Sequence, residues 1–592
     1  MICCSPERFV EFQYHFWYYV LVMLERLKTY LTARNLLVVV LVFGSLIRFW
    51  GVGTAEIFND EGFYAFRSIG YLDYIQNVSQ TTPIQWFQNT VMPWWTHLSF
   101  HDVPPLFFMV QHFFFALLGD SLFVARLPSL LAGIGTLLLM FYIGKRLFKN
   151  DYAGVLAAAL LAVSNMHIWI SRSSLIEGLE VFLIAAATLI FLHFLDDRKK
   201  WWLWLGVVLG AAALTKYTAV FILPVFLIML LLRDRKLLLA RELWYAVAIA
   251  LVLFSPVIVY NLEMYHAVGH FDLQFAYLFH QATPEWQASL GKVQDPFSNI
   301  GGNLLAMYSI PFLLLTLGGF LLGVMRFFKK KETGLKEMMH ELEERVGLAD
   351  AYESEWAQLG VSAVVFITLM LVAIGSAYRF LSLYSIFFVI LAVAAFWELR
   401  KIEDIRGWLI PILIALLAYQ LYFAVDGIFM TFPDFGIVKL DNYLSQEFGG
   451  MRSADPPQSS NPHLEQVIKD NLSLVPASTT PFMIVYDENV ALSARLWLFT
   501  RRIYYHGISA VTTGQFKSLL QSNQAALKGI TVYFVRASQY TSLNPYLSVP
   551  DASDLTAFLT APSANGGLGL SPGIMITGYD DLPMFTVYKF TM

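Results

Sequence analysis

Charged residues are scarce in this chain. Asp, Glu, Lys and Arg make up 14% of its 592 residues, whereas soluble globular proteins carry about 25%. Hydrophobic residues reach 57%, and the mean hydropathy is +0.56. Such a composition excludes an ordinary soluble protein, and the net charge of −4 gives no sign of a nucleic-acid partner. We therefore expect a multi-pass protein of the cell membrane.

Cysteine is nearly absent. The two cysteines, Cys3 and Cys4, are adjacent at the N-terminus and cannot cross-link a distant external domain, so a disulfide framework is excluded. The sequence also lacks a Gly-rich phosphate loop and an internal repeat. The apolar stretch 9–24 is interrupted by polar residues and has no small-residue cleavage site. We interpret residues 1–34 as an interfacial segment and not as a signal peptide.

Long apolar runs predict about eleven membrane spans, because a helix that crosses a bilayer needs about 20 mostly apolar residues. The predicted spans are 35–50, 122–144, 152–171, 174–195, 201–217, 218–232, 243–261, 301–325, 359–377, 380–398 and 407–428. Segment 104–118 is apolar but short, so we predict a helix that lies at the outer surface or dips part-way into the membrane.

Basic residues set the predicted orientation. They cluster in every second loop, around 145–149, 198–200, 233–241, 326–336 and 400–406. Cytoplasmic loops are enriched in Lys and Arg, so these clusters predict a cytoplasmic N-terminus and an extracytoplasmic C-terminus.

The same pattern predicts the domain organisation. A membrane domain covers 35–428, with a first external loop at 51–121 and a cytoplasmic insert at 326–358. Residues 429–592 contain a linker rich in Pro, Ser and Asn, followed by alternating strand-like and helical stretches. We predict a small extracytoplasmic α/β domain there.

The first external loop contains two candidate polar sites. Asp60 and Glu61 come just after the first span, where carboxylates can act as a general base or hold a divalent cation. The alternative is a solvated helix N-terminus, at which acids are favoured. His101 and Asp102 precede Pro104 and Pro105, which start a helix rigidly. They are either part of a polar site or an ordinary loop cap.

Several charges occupy the predicted external ends of otherwise apolar spans. They are Arg126, Arg172, Glu177, Lys216 and Arg379. Charge near the membrane is costly and usually functional. Snorkelling would explain any one of these residues, but the set at one depth beside Asp60 favours a phosphate site, and a phosphate at that depth indicates a lipid phosphate.

Three histidines, His266, His270 and His280, follow the seventh predicted span. His266 and His270 share one helix face, as metal ligands can. Their aromatic neighbours favour a surface helix instead, so we predict no metal site there. A divalent cation held by Asp60 and Glu61 stays the alternative to a base.

In their order along the chain these motifs resemble the protein O-mannosyltransferase superfamily, which includes the lipid A aminoarabinose transferases. The motifs are Asp60-Glu61, the Pro-Pro-Leu helix, Arg126-Leu127-Pro128-Ser129, Ser171-Arg172 with Glu177, Leu214-Thr215-Lys216 and Tyr378-Arg379. The resemblance covers about 35–430. It implies the C-type glycosyltransferase membrane fold and a sugar donor linked to polyprenyl phosphate. It also implies an acceptor outside the cytoplasm, which is a protein, a lipid or a glycan.

The resemblance further implies that Asp60 is the catalytic carboxylate. The family places His directly before Pro-Pro, whereas Asp102 and Val103 intervene here. We expect an inverting transfer with Asp60 as general base beside Glu61, and with Lys216, Arg379, Arg172 and Arg126 as phosphate ligands. Glu177, His101 and Asp102 are expected to orient groups or bind the acceptor. The rivals are a transporter or flippase of a lipid-linked substrate and a membrane-anchored binding protein.

Overall fold

The structure is a computed structural model, and it describes residues 31–58, 60–75, 81–281, 296–328, 354–430, 434–522, 524–538, 550–561, 570 and 573–592. Most of the predicted N-terminal segment 1–34 and most of the predicted insert 326–358 lie outside the described residues.

The membrane part is helical from end to end. Its α-helices are α1 Ala33–Phe49, α2 Glu61–Ile69, α3 Pro83–Trp86, α4 Leu106–Leu118, α5 Leu122–Phe148, α6 Asp151–Ala162, α7 Asn165–Arg172, α8 Ile176–Asp196, α9 Arg198–Thr215, α10 Ile222–Arg233, α11 Arg241–Val268, α12 Leu273–Leu278, α13 Pro296–Met307, α14 Ile310–Phe328, α15 Glu355–Ile374, α16 Ser385–Leu399 and α17 Glu403–Val425. Short 3-10 helices at Tyr217–Phe221 and Tyr378–Tyr384 precede α10 and α16.

Every predicted span coincides with a helix or a broken pair of helices. Among the described residues, seven helices are long and apolar enough to cross a membrane alone, and α6 with α7 makes an eighth if this pair, bent by 65°, is one span. The predicted span 301–325 is divided between α13 and α14. The count of about eleven therefore stays a prediction. Segment 104–118 forms the 13-residue α4, which is shorter than a full span.

The C-terminal part combines helices with a five-stranded sheet. Its helices are α18 Ile437–Phe448, α19 Pro462–Leu472, α20 Leu492–Arg495, α21 Arg501–His506, α22 Thr513–Ser522 and α23 Pro550–Thr560, and its strands are β1 Phe482–Tyr486, β2 Ala510–Thr512, β3 Thr531–Ala537, β4 Ile574–Thr577 and β5 Pro583–Thr591. The strand order is β2-β1-β3-β5-β4. The β1 strand pairs in parallel with β2 and β3, whereas β5 is antiparallel to β3 and β4.

The C-terminal part packs directly on the first external loop. Ile57 and Ala65 belong to the same buried cluster as Phe482 and Ile484 of β1. At Gly62 in α2 an added Cβ would lie 2.3 Å from the backbone carbonyl oxygen of Ser493 in α20, so only glycine permits this approach. The helix that starts at the predicted catalytic acids is therefore in contact with α20.

Candidate functional site

Asp60 lies at the start of α2, but it does not cap that helix with its side chain. Its carboxylate instead accepts a hydrogen bond from Nη1 of Arg379, in the 3-10 helix before α16. The same Nη1 atom donates to the Tyr64 hydroxyl over 3.2 Å, and that hydroxyl donates to Asp60 over 3.4 Å. The Asp60 side chain is 35% exposed, so its carboxylate is paired but still accessible.

Glu177 and Lys216 form the second half of the same cluster. Nζ of Lys216 donates to Oε1 of Glu177 over 2.5 Å, and Nε of Arg379 lies 3.4 Å from that oxygen. Glu177 therefore links the two cations. Lys216 follows the last residue of α9 and Glu177 is the second residue of α8, so helix ends bring these groups to one depth.

Glu180 completes this cluster, one helical turn after Glu177. Its Oε1 accepts from the Thr218 hydroxyl, and its Oε2 lies 3.8 Å from Nζ of Lys216. Oε2 of Glu177 and Oε2 of Glu180 are buried and have no hydrogen-bond partner among the described residues. A buried polar atom without a partner is costly, so these two oxygens distinguish the cluster from an ordinary structural ion pair.

The structure brings Asp60, Glu177, Lys216 and Arg379 together, as the sequence pattern suggested for charges at one depth. Sequence reasoning missed Tyr64 and Glu180. Tyr64 is four residues after Asp60 and so shares its helix face, but an aromatic residue in an apolar chain reads as core. Glu180 could have been identified from the sequence, because it is a second acid near the start of an otherwise apolar helix.

Glu61 and Arg126 form a separate buried pair. Nε and Nη2 of Arg126 donate to the two Glu61 oxygens over 2.8 and 3.1 Å. The remaining N–H groups of Arg126 reach the carbonyl oxygens of Val52, Ala55 and Glu56. With all its donors used inside the protein, Arg126 fixes the shape of the loop before Asp60. This arrangement does not favour its predicted role as a phosphate ligand.

Arg172 also contacts backbone and not the Asp60 cluster. Its Nη1 donates to the carbonyl oxygens of Ile47, Arg48 and Trp50 at the C-terminal end of α1. Its guanidinium lies 4.4 Å from the ring centre of Phe429. A cation at the C-terminal end of a helix compensates unpaired carbonyl groups, which explains this charge without a substrate.

His101 and Asp102 belong to a second polar cluster, around the buried Arg67 of α2. Nη2 of Arg67 donates to Asp73 over 2.5 Å and to Asp102 over 2.8 Å, while Nδ1 of His101 lies 2.8 Å from Asp73. Burial alone would raise the pKa of Asp73, but the charges of His101 and Arg67 outweigh it and lower that pKa to about 2. Burial would lower the pKa of His101, but Asp73 and Asp102 raise it above its usual value.

A divalent cation fits this second cluster poorly. Ligand atoms of Asp73, His101 and Asp102 lie within 4.8 Å of one another, which is compatible with a metal. However, Arg67 already donates to both carboxylates, and its charge with that of a protonated His101 balances the two acids. Among the described residues this is the one such group, and it does not include Asp60, Glu61 or the histidines after the seventh predicted span.

Residues 102–260 match the family described as dolichyl-phosphate-mannose-protein mannosyltransferase. The resemblance predicted from the sequence is thereby confirmed. A relative from Bacillus subtilis (strain 168), named "Putative mannosyltransferase YkcB", is 28% identical over 204 residues. That match covers 30% of this chain and 28% of the relative's own length, so it leaves most of both proteins uncompared.

The crystal structure of apo ArnT from Cupriavidus metallidurans superimposes with a TM-score of 0.50 at 13% identity, covering 94% of this chain and 98% of that one. The chain therefore has the ArnT-type, C-type glycosyltransferase fold, a helical membrane protein with a small C-terminal sheet. The ArnT structure bound to undecaprenyl phosphate gives a TM-score of 0.47 at 14% identity, with the same coverage.

Proposed function

We propose that this protein is an integral-membrane glycosyltransferase that moves a sugar from a polyprenyl-phosphate donor to an acceptor hydroxyl on the extracytoplasmic face. The observation that carries the proposal is the meeting of Asp60 with Arg379, Lys216 and Glu177 at the ends of membrane helices. An accessible carboxylate beside two cations supplies a base and a phosphate site in one place. The match to a family named for a lipid-phosphate sugar donor supports the same donor class.

The proposed reaction is a single displacement. The Asp60 carboxylate takes the proton of the acceptor hydroxyl as its oxygen bonds to the anomeric carbon. The bond from that carbon to the phosphate oxygen breaks, and the lipid phosphate leaves with the electron pair. Lys216 and Arg379 stabilise the charge on the leaving phosphate. Because attack and departure occur on opposite sides, the anomeric configuration inverts.

The ion pairs of the described state suggest how donor binding prepares the base. Arg379 is bonded to Asp60, and Lys216 is bonded to Glu177. A donor phosphate competes for the same guanidinium and ammonium groups, so its arrival draws Arg379 away from Asp60. The freed carboxylate can then accept a proton from the acceptor. In this scheme the base becomes free only when the donor is in place.

The position of the charges favours a transferase over a transporter or flippase. Transporters bind their substrates near the middle of the membrane, at discontinuous helices. Here Glu177 is the second residue of α8, Lys216 follows the end of α9, and Arg379 precedes α16. Chemistry at helix ends suits transfer to an acceptor outside the membrane.

The test is direct transfer of label. Purified protein is incubated with a radiolabelled polyprenyl-phosphate sugar, mannose first, together with a membrane extract that supplies acceptors. Mass spectrometry then identifies the product, and its anomeric configuration is compared with that of the donor. We expect a labelled, inverted product that wild type makes and Asp60→Asn does not. Labelling by Asp60→Asn at the wild-type rate, or a product of retained configuration, contradicts the mechanism.

A further inference from the structure

A cavity lies at the opposite end of the membrane helices from Asp60. Its volume is about 850 Å³. Its wall includes Lys145 and Arg146 near the C-terminal end of α5 and Asp196 at the C-terminal end of α8. The N-terminal ends of the same helices carry Arg126 and Glu177, which lie near Asp60. The 27 residues of α5 span about 40 Å, so the cavity is separate from the proposed active site.

Positive charge exceeds negative charge in the wall of this cavity. The lining acids are Asp196 and Glu355, and the lining bases are Lys145, Arg146, Lys149, Arg233 and Arg326. Arg146 bonds to Asp196 over 2.7 Å and to Glu355 over 2.8 Å, and Arg233 bonds to Glu355 over 2.5 Å. Two arginines therefore neutralise both acids and leave the other three cations in excess of the lining acids.

Two of these three cations are accessible and weakly held. Lys145 pairs with Asp151, but both side chains are about half exposed, at 49% and 51%, and exposed pairs of this kind contribute little. Lys149 follows α5 in the left-handed region, with a φ of 51°, and has no ion-pair or hydrogen-bond partner among the described residues. Arg326 is more firmly placed, because its guanidinium forms an ion pair with Glu398 at 3.0 Å.

Aromatic and apolar surface continues from the cavity along the outside of α5. Phe148 and Trp356 stack in the cavity wall, with ring centres 6.4 Å apart. Tyr142 at the cavity, and Leu138 and Leu131 farther along the same helix face, are 46%, 39% and 48% exposed. A basic pocket with aromatic residues at its rim and an exposed apolar stripe below it matches the outline of a phospholipid, with a charged head above acyl chains.

We propose that this cavity binds the phosphate group of an anionic membrane lipid. Lys145 and Lys149 contact the phosphate, the paired Arg146 and Arg233 form a rigid floor, and the acyl chains lie along the α5 face at Leu131, Leu138 and Tyr142. A soluble phosphate shares the recognised chemistry. The lipid is preferred because the exposed apolar stripe of α5 leads into the cavity. The site is independent of the transfer reaction proposed above.

Native mass spectrometry of the purified full chain in detergent tests this proposal. The probes are dioctanoyl phosphatidylglycerol, dioctanoyl phosphatidylcholine and inorganic phosphate. We expect phosphatidylglycerol to bind, phosphatidylcholine to bind much more weakly, and inorganic phosphate at equal concentration not to displace the lipid. Lys145→Gln with Lys149→Gln should weaken phosphatidylglycerol binding roughly tenfold or more, because each cation near a lipid phosphate contributes to its affinity.

The matched control is Lys439→Gln with Lys469→Gln, which removes two exposed lysines of the C-terminal part and should leave binding unchanged. If the first double variant folds poorly, Lys149→Gln alone removes the unpaired cation and should still weaken binding. Wild-type affinity for phosphatidylglycerol in both cavity variants overturns the proposal, and so does equal affinity for phosphatidylcholine. Displacement of the lipid by an equal concentration of inorganic phosphate identifies a soluble-anion site and refutes the lipid assignment.

Discussion

Arg379 donates a hydrogen bond to Asp60 from a position 319 residues farther along the chain. The contact joins the loop after α1 to the 3-10 helix before α16, two elements that are far apart in sequence. The strongest candidate base and the strongest candidate phosphate ligand are therefore in direct contact.

Asp60→Asn should lower kcat by about 10²- to 10⁴-fold, because the amide keeps the side-chain shape but cannot take a proton as a carboxylate does. Donor Kd should not rise, since both cations are intact and the uncharged amide competes less than the carboxylate for Arg379. Initial rates and donor Kd measured on folded protein check both statements. Turnover within a few-fold of wild type would remove Asp60 from the mechanism and make Glu177 or Glu180 the next candidate.

Lys216→Ala and Arg379→Ala should each raise the donor KM by roughly ten- to a hundredfold, because a charge-assisted hydrogen bond contributes about 1.5–3 kcal/mol. Arg172→Ala is the informative comparison, since Arg172 contacts backbone and not the Asp60 cluster. Arg172→Ala should lower the unfolding temperature and change the donor KM much less than the other two variants do. Wild-type KM and kcat in the first two variants would favour snorkelling side chains over a phosphate site.

Arg126→Gln should destabilise the protein by about 3–5 kcal/mol, because it leaves Glu61 as an unpaired buried charge. Thermal unfolding in detergent measures the loss. Lys469→Gln breaks an exposed pair with Glu465 and serves as the control, with an expected change of about 0–1 kcal/mol. An unfolding temperature equal to that of wild type in Arg126→Gln, combined with a raised donor KM, would instead support the phosphate-binding role predicted from the sequence.

Stability should fall between pH 5 and pH 8 because of Glu56. Burial raises the pKa of Glu56 to about 7, and Asp434 adds to this rise. A carboxyl with a raised folded-state pKa stabilises the fold below its unfolded pKa, and this stabilisation is lost as pH rises through about 7. Glu56→Gln stays uncharged and should show a flatter dependence of the unfolding temperature on pH. Parallel curves for the two proteins would contradict this assignment.

Orientation is tested by cysteine labelling in a background that lacks Cys3 and Cys4. Because basic clusters occupy alternate loops, we predict that Lys199 is cytoplasmic and Ser509 external. A membrane-impermeant reagent applied to intact cells should label a cysteine at 509 but not at 199. Lys330 and Gln287, which lie outside the described residues, are further test positions, and we predict that they are cytoplasmic and external, respectively. Labelling of a cysteine at 199 but not at 509 would contradict the predicted orientation.

The sequence located charges but not their partners. Depth follows from hydropathy, so the sequence alone predicts that Asp60, Glu177, Lys216 and Arg379 lie at one level. Rotation about a helix axis does not follow from depth, and it is rotation that directs Arg126 to Glu61 and Arg172 to the end of α1. Asp73 was missed because an acid in an external loop carries no signal until its contact with Arg67 is seen.

The fold was predictable where patterns are long. Strand-like runs at 482–486, 531–535 and 585–590 indicated β1, β3 and β5. In contrast, β2 and β4 have only 3 and 4 residues, too few for alternation to reveal them. Docking of the sheet on the first loop was not predictable, because it depends on tertiary packing between segments that are distant in sequence. The same reason conceals Tyr64, whose role is visible only once Arg379 lies beside it.

The contact between Gly62 and Ser493 limits how this protein can be engineered. A chimaera that exchanged the C-terminal part for that of another protein of this fold would have to supply a backbone as close to α2 as α20 is here. Without it, an opening would form beside Glu61 and Asp60, and water could enter behind the carboxylates. Loops grafted onto the existing sheet keep this contact, whereas a block replacement of residues 429–592 keeps it only if the new segment reproduces the same backbone approach.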